Sequence, residues 1–247
     1  MALKHPSPQR RFTLRLIPTL ATAATLALLL GLGQWQHGKA IAAEAAAALR
    51  DERLRQPPEP IGAHLLEPGR ADAARYTARG RYLPALQFYV DNRQHNGVAG
   101  VFVVTPLQIE GSNTLLLVNR GWSAWPQGRG VLPEVVTPAG LVDVTGLADV
   151  PSTKAYFLMP QQHETDPRLW MRVDIARFAA LAGGKAVQPV ALLQDGDTPP
   201  DQLVRHWPAP ENRSVKHRGY ALQWWLMAAA LLLFYLVTCL RKPRSAG

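Results

Sequence analysis

The sequence predicts a membrane protein in which two transmembrane helices flank a mainly β domain of the α+β class. Two uncharged apolar runs, residues 16–35 and 220–240, are long enough to cross the hydrocarbon core, which takes about 20 residues of helix. Basic residues are concentrated in the tails outside these runs. Between the runs, short β-prone segments alternate with many of the 21 prolines, which is typical of strands joined by turns.

The net charge of +9 comes largely from the two ends of the chain. Residues 1–15 and 241–247 hold seven of the 27 lysines and arginines and no acid, which leaves 20 basic and 18 acidic residues elsewhere. Basic tails beside apolar runs indicate a lipid bilayer as partner and no nucleic acid. Because positive tails stay in the cytoplasm, we expect both termini there and residues 36–219 in the periplasm of a bacterial inner membrane.

The first apolar run allows a second interpretation, a cleavable signal peptide, because its start is basic and Ala40-Ile41-Ala42 follows it. The run exceeds the roughly 7–15 apolar residues of a signal core, which favours an uncleaved transmembrane helix. Residues 39–55 are rich in strong helix formers and end before Pro57-Pro58. They are predicted to continue the helix as a stalk.

Strand patterns dominate residues 36–219. The predicted strands are Tyr76–Tyr82, Leu86–Val90, Val101–Ile109, Thr114–Asn119, Leu141–Leu147, Ala155–Met159, Leu169–Arg172 and Val187–Leu193. Gly111-Ser112-Asn113 predicts a hairpin loop between the third and fourth of these. A short helix is predicted over Asp174–Ala182, with Asp174 as its N-cap and Gly183-Gly184 as its stop.

Motifs of turnover catalysis are missing from the sequence. It contains no G-x-S-x-G, no H-E-x-x-H and no glycine-rich nucleotide loop, so a membrane-anchored hydrolase is only a residual alternative and we expect no enzyme. One cysteine excludes an internal disulfide and a C-x-x-C pair. Copper delivery is also disfavoured, because Cu(I) prefers clustered Cys or Met and the four methionines are dispersed.

A histidine lies at the start of the second apolar run. At 100° per residue, His217 shares one helical stripe with Tyr220, Ala221, Trp224 and Ala228. A histidine at a membrane edge can ligate haem iron, and the two alanines would let a flat ring approach the backbone. The alternative is an aromatic belt with a histidine at its edge, which has no ligand.

Three further residues are candidates for the same cofactor site. Lys216 and Arg218 flank the histidine and could pair with haem propionates. Trp35 ends the first apolar run on the same side of the membrane. In the haem interpretation, one interfacial site is formed by His217, Tyr220, Trp224, Lys216, Arg218 and Trp35.

Ordered motifs across nearly the whole chain carry a family resemblance. They are Gly33-Gln34-Trp35-Gln36; Asn92-Arg93 with Gly97, Gly100 and Thr105-Pro106-Leu107; Val118-Asn119-Arg120-Gly121-Trp122; Val144-Thr145-Gly146; and His217, Tyr220, Ala221 and Trp224 as H-x-x-Y-A-x-x-W. With the two flanking apolar runs, the chain resembles the Surfeit locus protein 1 family of cytochrome c oxidase assembly factors.

The resemblance implies a non-enzymatic role in oxidase biogenesis. Bacterial members are thought to bind haem a transiently and to help its insertion into oxidase subunit I, which makes subunit I and haem a synthase the implied partners. It also implies that His217 is the haem ligand. The alternative is a scaffold of the same assembly complex that does not bind haem.

The block Asn119-Arg120-Gly121-Trp122 has two interpretations. In the structural one, Gly121 permits a bend at a strand end and Trp122 packs over the sheet. In the functional one, Arg120 or Arg93 meets a haem propionate or an acidic partner surface. The sequence leaves both open.

Overall fold

The structure, a computed structural model, describes residues 11–12, 15–151, 166–196, 201–208 and 212–241. Contacts divide the chain into two units. The helix unit comprises Met1–Leu49 and Pro210–Gly247, and the sheet unit comprises Arg50–Ala209. The sheet unit is shorter than the stretch 36–219 between the apolar runs, because the residues at both ends of that stretch belong to the helix unit.

Ten strands and four helices are present in the described residues. In chain order they are β1 (Arg11–Phe12), α1 (Leu16–Arg55), β2 (Glu59–Pro60), α2 (Pro68–Ala71), β3 (Arg75–Tyr82), a 3-10 turn (Pro84–Leu86), β4 (Phe88–His95), β5 (Val98–Ile109), β6 (Leu115–Ala124), β7 (Leu141–Asp149), β8 (Leu169–Trp170), α3 (Ile175–Leu181), β9 (Val187–Gln194), α4 (Ser214–Cys239) and β10 (Leu240–Arg241).

The two long helices are apolar over much of their length. α1 has 40 residues and includes both the first apolar run and the stalk, so the predicted continuation of the helix to Arg55 is confirmed. α4 has 26 residues and begins at Ser214, which places His217 inside the helix. By length and composition, both helices qualify to cross a membrane. In the same unit, the backbones of β1 and β10 pair antiparallel.

The sheet unit contains a closed barrel. Strands β3, β7, β9, β6 and β5 pair in that order, and β5 pairs again with β3 through Gly80↔Ile109, which closes the ring. β4 continues the sheet from β5, and the short β8 pairs parallel with β4. β2 pairs parallel with β3 at the other side. Because the ring is closed, each of its five strands is paired on both sides.

Both faces of the central strand β6 are buried. Its Leu116 and Val118 belong to the cluster inside the barrel, whereas Leu115 and Leu117 belong to a second cluster that includes Phe178 of α3. Successive side chains of a strand point to opposite faces, so a continuous apolar run lets β6 contribute to both clusters. In the second cluster the rings of Phe88 and Trp170 stack with centroids 4.0 Å apart.

Most predicted elements are confirmed, with longer strands than expected. The strand at Leu86–Val90 begins at Phe88 instead, because Pro84–Leu86 forms a 3-10 turn, and it continues to His95. The strand at Leu169–Arg172 is limited to Leu169–Trp170. Asp174 caps α3 by accepting a hydrogen bond from the Arg177 backbone nitrogen at 3.0 Å. The predicted strand Ala155–Met159 lies outside the described residues.

Candidate functional site at the helix pair

The two long helices contact each other in antiparallel orientation within the helix unit. The contacts that define this orientation are Thr19 with Tyr235, Gly33 with Trp225, and Gln36 with His217. The residues buried on these faces are mostly small: Gly33, Ala40, Ser214, Ala221 and Ala228. Small residues on these faces leave room for a large side chain of the other helix, as Gly33 does for Trp225.

Gly33 is the point at which a large side chain of α4 packs on the backbone of α1. A Cβ atom added at Gly33 would overlap the indole nitrogen of Trp225. The same indole contacts His37, with ring centroids 5.6 Å apart and planes tilted by 53°. Glycine at this position therefore allows the Trp225 ring to lie against α1.

His217 is the predicted site residue with the most specific contact. It is half-buried in the first turns of α4, and its Nδ1 atom lies 2.8 Å from Oε1 of Gln36 on α1. Among the described residues, Nε2 of His217 has no hydrogen-bond partner. One nitrogen of this imidazole is therefore held by the protein, and the other is available.

The charged neighbours of His217 are exposed. Arg218 forms an ion pair with Glu44 of α1, with Nη2 and Oε2 2.7 Å apart. Lys216 is exposed on the preceding position of α4. The pair between Arg218 and Glu44 is a second polar contact that ties the start of α4 to α1.

The aromatic candidates differ in exposure. Tyr220 and Trp35 are each 55% exposed, and Nζ of Lys39 lies 5.8 Å from the Trp35 ring centroid. Trp224 is half-buried. Ala221 and Ala228, expected to receive a flat ring, are buried on the face that packs on α1. In this arrangement a ring ligand has to approach His217 from another side of α4.

Gln36 and Trp225 are absent from the residues expected at the site, yet both contact the opposite helix. Gln36 had a signal, because it closes the Gly33-Gln34-Trp35-Gln36 motif. Gly33 and Gln36 are three residues apart and so lie on one helix face, whereas Trp35 does not. For Trp225, the only feature of the sequence that could have indicated a contact with α1 is its position beside Trp224.

Arg120 of the Asn-Arg-Gly-Trp block is internal to the sheet unit. Val103 pairs with Gly121 and Val104 with Asn119, so Arg120 is the extra residue of a β-bulge in β6. Its guanidinium donates to Thr137 Oγ1 at 2.9 Å and to the Val136 carbonyl at 2.7 Å.

Asp201 neutralises this buried guanidinium. Its Oδ2 lies 3.1 Å from Arg120 Nη2 and also accepts from Arg205, while the side chains of Arg120 and Asp201 are only 1% and 9% exposed. The Tyr82 ring lies against the same guanidinium, and the guanidinium carbon of Arg120 is 5.3 Å from the ring centroid. Desolvation by burial raises the pKa of Tyr82 to about 12. These contacts support the structural interpretation of Arg120.

The other residues of the block hold a neighbouring segment on β6. Gly121 has φ of 142°, and a Cβ there would lie 2.8 Å from Leu203 Cβ. Trp122 and Val204 exchange two backbone hydrogen bonds of 2.8 and 2.9 Å. Asn119 Oδ1 accepts from the Gly121 nitrogen at 3.3 Å. Gly121 thus lies inside β6, where it permits close approach of residues 201–208.

Arg93 is half-buried on β4 and beside a cavity. Its guanidinium carbon lies 5.3 Å from the Phe102 ring centroid, and its Nε has no partner among the described residues. Burial lowers the pKa of Arg93. The adjoining cavity, about 310 Å³, is lined by Asp91, Trp125 and Arg129 among others. Asp91 is buried and pairs with Arg129 at 2.6 Å.

The family comparison covers most of the chain. A family model described as the SURF1 family matches residues 23–229, which include the Gly33–Trp225 and Gln36–His217 contacts and the Asn-Arg-Gly-Trp block. Comparison of the sequence with curated proteins finds no match.

Proposed function

The chain belongs to the SURF1 family, which is associated with cytochrome c oxidase assembly, and on that premise we propose that it binds haem a and assists its insertion into oxidase subunit I. Haem a is the cargo in this proposal. Members of the family are generally non-enzymatic, and the proposed role needs no turnover chemistry.

The observation that carries the proposal is the state of His217. Its Nδ1 contacts Gln36 Oε1 at 2.8 Å, so the imidazole is oriented while Nε2 has no partner among the described residues. A neutral imidazole with one nitrogen held and the other free is the common donor to haem iron. The donor set at this position therefore fits the cargo.

Nearby residues would hold the remainder of the haem. Tyr220 and Trp35 offer exposed aromatic faces, and Trp224 is half-buried on the same helix. Lys216 and Arg218 supply positive charge for the propionates. A propionate bound at Arg218 would share the guanidinium with Glu44. His217 is half-buried and partly open to solvent, so a ligand held by it could exchange, as a carrier requires.

Location and partners belong to the same proposal. We place α1 and α4 across the bacterial inner membrane, with both termini cytoplasmic and the sheet unit periplasmic. The apolar helices and the basic tails support this placement. Oxidase subunit I would receive the haem, and haem a synthase would supply it.

A scaffold that never binds haem is the second candidate. The packing of Ala221 and Ala228 against α1 favours it, because the helix face below His217 is already covered. Such a protein would stabilise an oxidase assembly intermediate through its surfaces alone.

The visible spectrum of the detergent-purified protein, made in cells that synthesise haem a, separates the two candidates. We expect a Soret band in the wild type and little haem in His217→Ala. His64→Ala, which removes an exposed histidine of the sheet unit, should retain the band. Wild-type haem content in His217→Ala would exclude this histidine as the ligand, and a haem-free wild type would favour the scaffold.

Deletion of the protein gives a second test, at the level of the oxidase. We expect an oxidase that lacks haem a and keeps its copper, with cytochrome c maturation unchanged. Loss of copper with retention of haem would show that the haem role is wrong.

A further inference from the structure

The contact between His217 and Gln36 has a consequence for the protons of the imidazole. A carboxamide oxygen can only accept a hydrogen bond, so at 2.8 Å from Gln36 Oε1 the Nδ1 atom of His217 is the donor. A neutral imidazole carries one N–H. In that neutral form, the Nε2 atom therefore bears the lone pair.

We propose that Gln36 is a positioning residue that holds His217 as the Nδ1–H tautomer and so presents Nε2 as the ligand atom. The part that concerns the ligand rests on the proposed function. The part that concerns the tautomer rests on the helix contact alone and holds without haem.

Two neighbouring contacts keep the pair in register. The Trp225 indole lies against α1 at Gly33, one turn before Gln36. The ion pair of Arg218 with Glu44, two turns after Gln36, ties the start of α4 to the same helix. Gln36 lies between these contacts. They hold α1 and α4 in the register that brings the Gln36 side chain to His217.

The chemistry of metal-binding histidines gives the expected magnitude. The hydrogen bond to the second ring nitrogen fixes the tautomer, orients the ring and raises the basicity of the ligating nitrogen. Loss of such a partner typically lowers metal affinity by about 10–100-fold. We expect a loss in this range when Gln36 can no longer accept.

The first measurement is the tautomer of His217 in the haem-free, full-length protein in detergent. Histidine labelled with ¹⁵N distinguishes a protonated from an unprotonated ring nitrogen, and the signals missing from His217→Ala assign this residue. Spectra are recorded at about pH 8.5, where an ordinary imidazole is neutral. We expect a protonated Nδ1 in the wild type and in Gln36→Glu, which keeps an acceptor oxygen.

Gln36→Leu should change the spectrum and Gln34→Leu should not. Gln34 is exposed on the same helix, so its substitution controls for the added apolar side chain. In Gln36→Leu we expect the Nε2–H tautomer to become populated. An Nδ1–H tautomer that persists in Gln36→Leu, or an Nε2–H tautomer in the wild type, would overturn the proposal.

The second measurement is the affinity for added haemin, followed by the Soret band. We expect Gln36→Leu to bind about 10–100-fold more weakly than the wild type, and Gln36→Glu and Gln34→Leu to bind within a few fold of it. Equal affinity of Gln36→Leu and the wild type would contradict the positioning of a ligand. If the wild type binds no haemin while its Nδ1–H tautomer depends on Gln36, the proposed function fails and the tautomer assignment stands.

Discussion

Arg120 and Asp201 form an ion pair inside the sheet unit, with Nη2 and Oδ2 3.1 Å apart and almost no exposure to solvent. The pair joins the bulge of β6 to residues 201–208, which lie antiparallel beside that strand at the Trp122–Val204 backbone bridge. The arginine of the family block is therefore occupied by the protein itself. Because its side chain is buried, a surface role for Arg120 does not fit this fold.

Removal of Asp201 should destabilise the protein strongly. Asp201→Ala leaves the buried guanidiniums of Arg120 and Arg205 without their shared carboxylate, which typically costs about 3–5 kcal/mol. We expect a large fall in the denaturant midpoint of the full-length protein in detergent. Glu110→Ala, which breaks an exposed pair with Arg79, should cost no more than about 1 kcal/mol. Similar midpoints for the two variants would contradict the role assigned to the pair.

Substitution of Gly121 should displace the segment 201–208. Gly121→Ala combines an unfavourable φ of 142° with a Cβ 2.8 Å from Leu203 Cβ, and we expect a loss of about 2 kcal/mol. Gly97→Ala is the matched control, because Gly97 also has positive φ, 78°, but open space around it. Limited proteolysis should cut Gly121→Ala near residue 204 faster than Gly97→Ala. Equal cutting would rule out the close packing described for this glycine.

Stability should fall at high pH through Tyr82. Burial raises its pKa to about 12 in the folded protein, above the ordinary value of 10.0, so the folded state holds the phenol proton more tightly. This contribution is complete below about pH 10 and is lost as pH rises towards 12. Tyr82→Phe should reduce the fall in the denaturant midpoint between pH 9 and pH 11.5. A wild-type pH dependence in Tyr82→Phe would show that another group is responsible.

The proposed topology makes a prediction for reporter fusions. A reporter at the amino terminus or after Arg244 should report the cytoplasm, because the basic tails stay there. One inserted at Gly111, in the exposed loop between β5 and β6, should report the periplasm. A mature protein that begins near Glu44 would instead identify the first apolar run as a signal peptide.

The helices and most strands could be predicted because their signals are local. Charge-free runs predict α1 and α4, and the cap at Asp174 with Gly183-Gly184 predicts α3. The helical stripe that includes His217 agrees with α4, which begins at Ser214, before the apolar run, because Lys216 and Arg218 lower the hydropathy without ending the helix. Closure of the barrel by β3 and β5 depends on pairing between distant segments, for which a single sequence has no local signal.

The same distinction separates the site residues. His217 could be predicted as a candidate because its neighbours along one helix form a recognisable pattern. Gln36 could not, because its contact with His217 exists only when α1 and α4 are packed together. Arg120 is a similar case, because its partners Thr137 and Asp201 are not its neighbours in the sequence and its burial therefore has no local signal.

The separation of 181 positions between Gln36 and His217 has a consequence for biosynthesis. At typical translation rates of about 5–20 residues per second, the ribosome adds the intervening chain in roughly 10–40 s. During that time the glutamine is already made and its histidine does not yet exist. The pair can form only on a chain that is nearly finished, so a truncated or stalled product would lack this contact between the two helices.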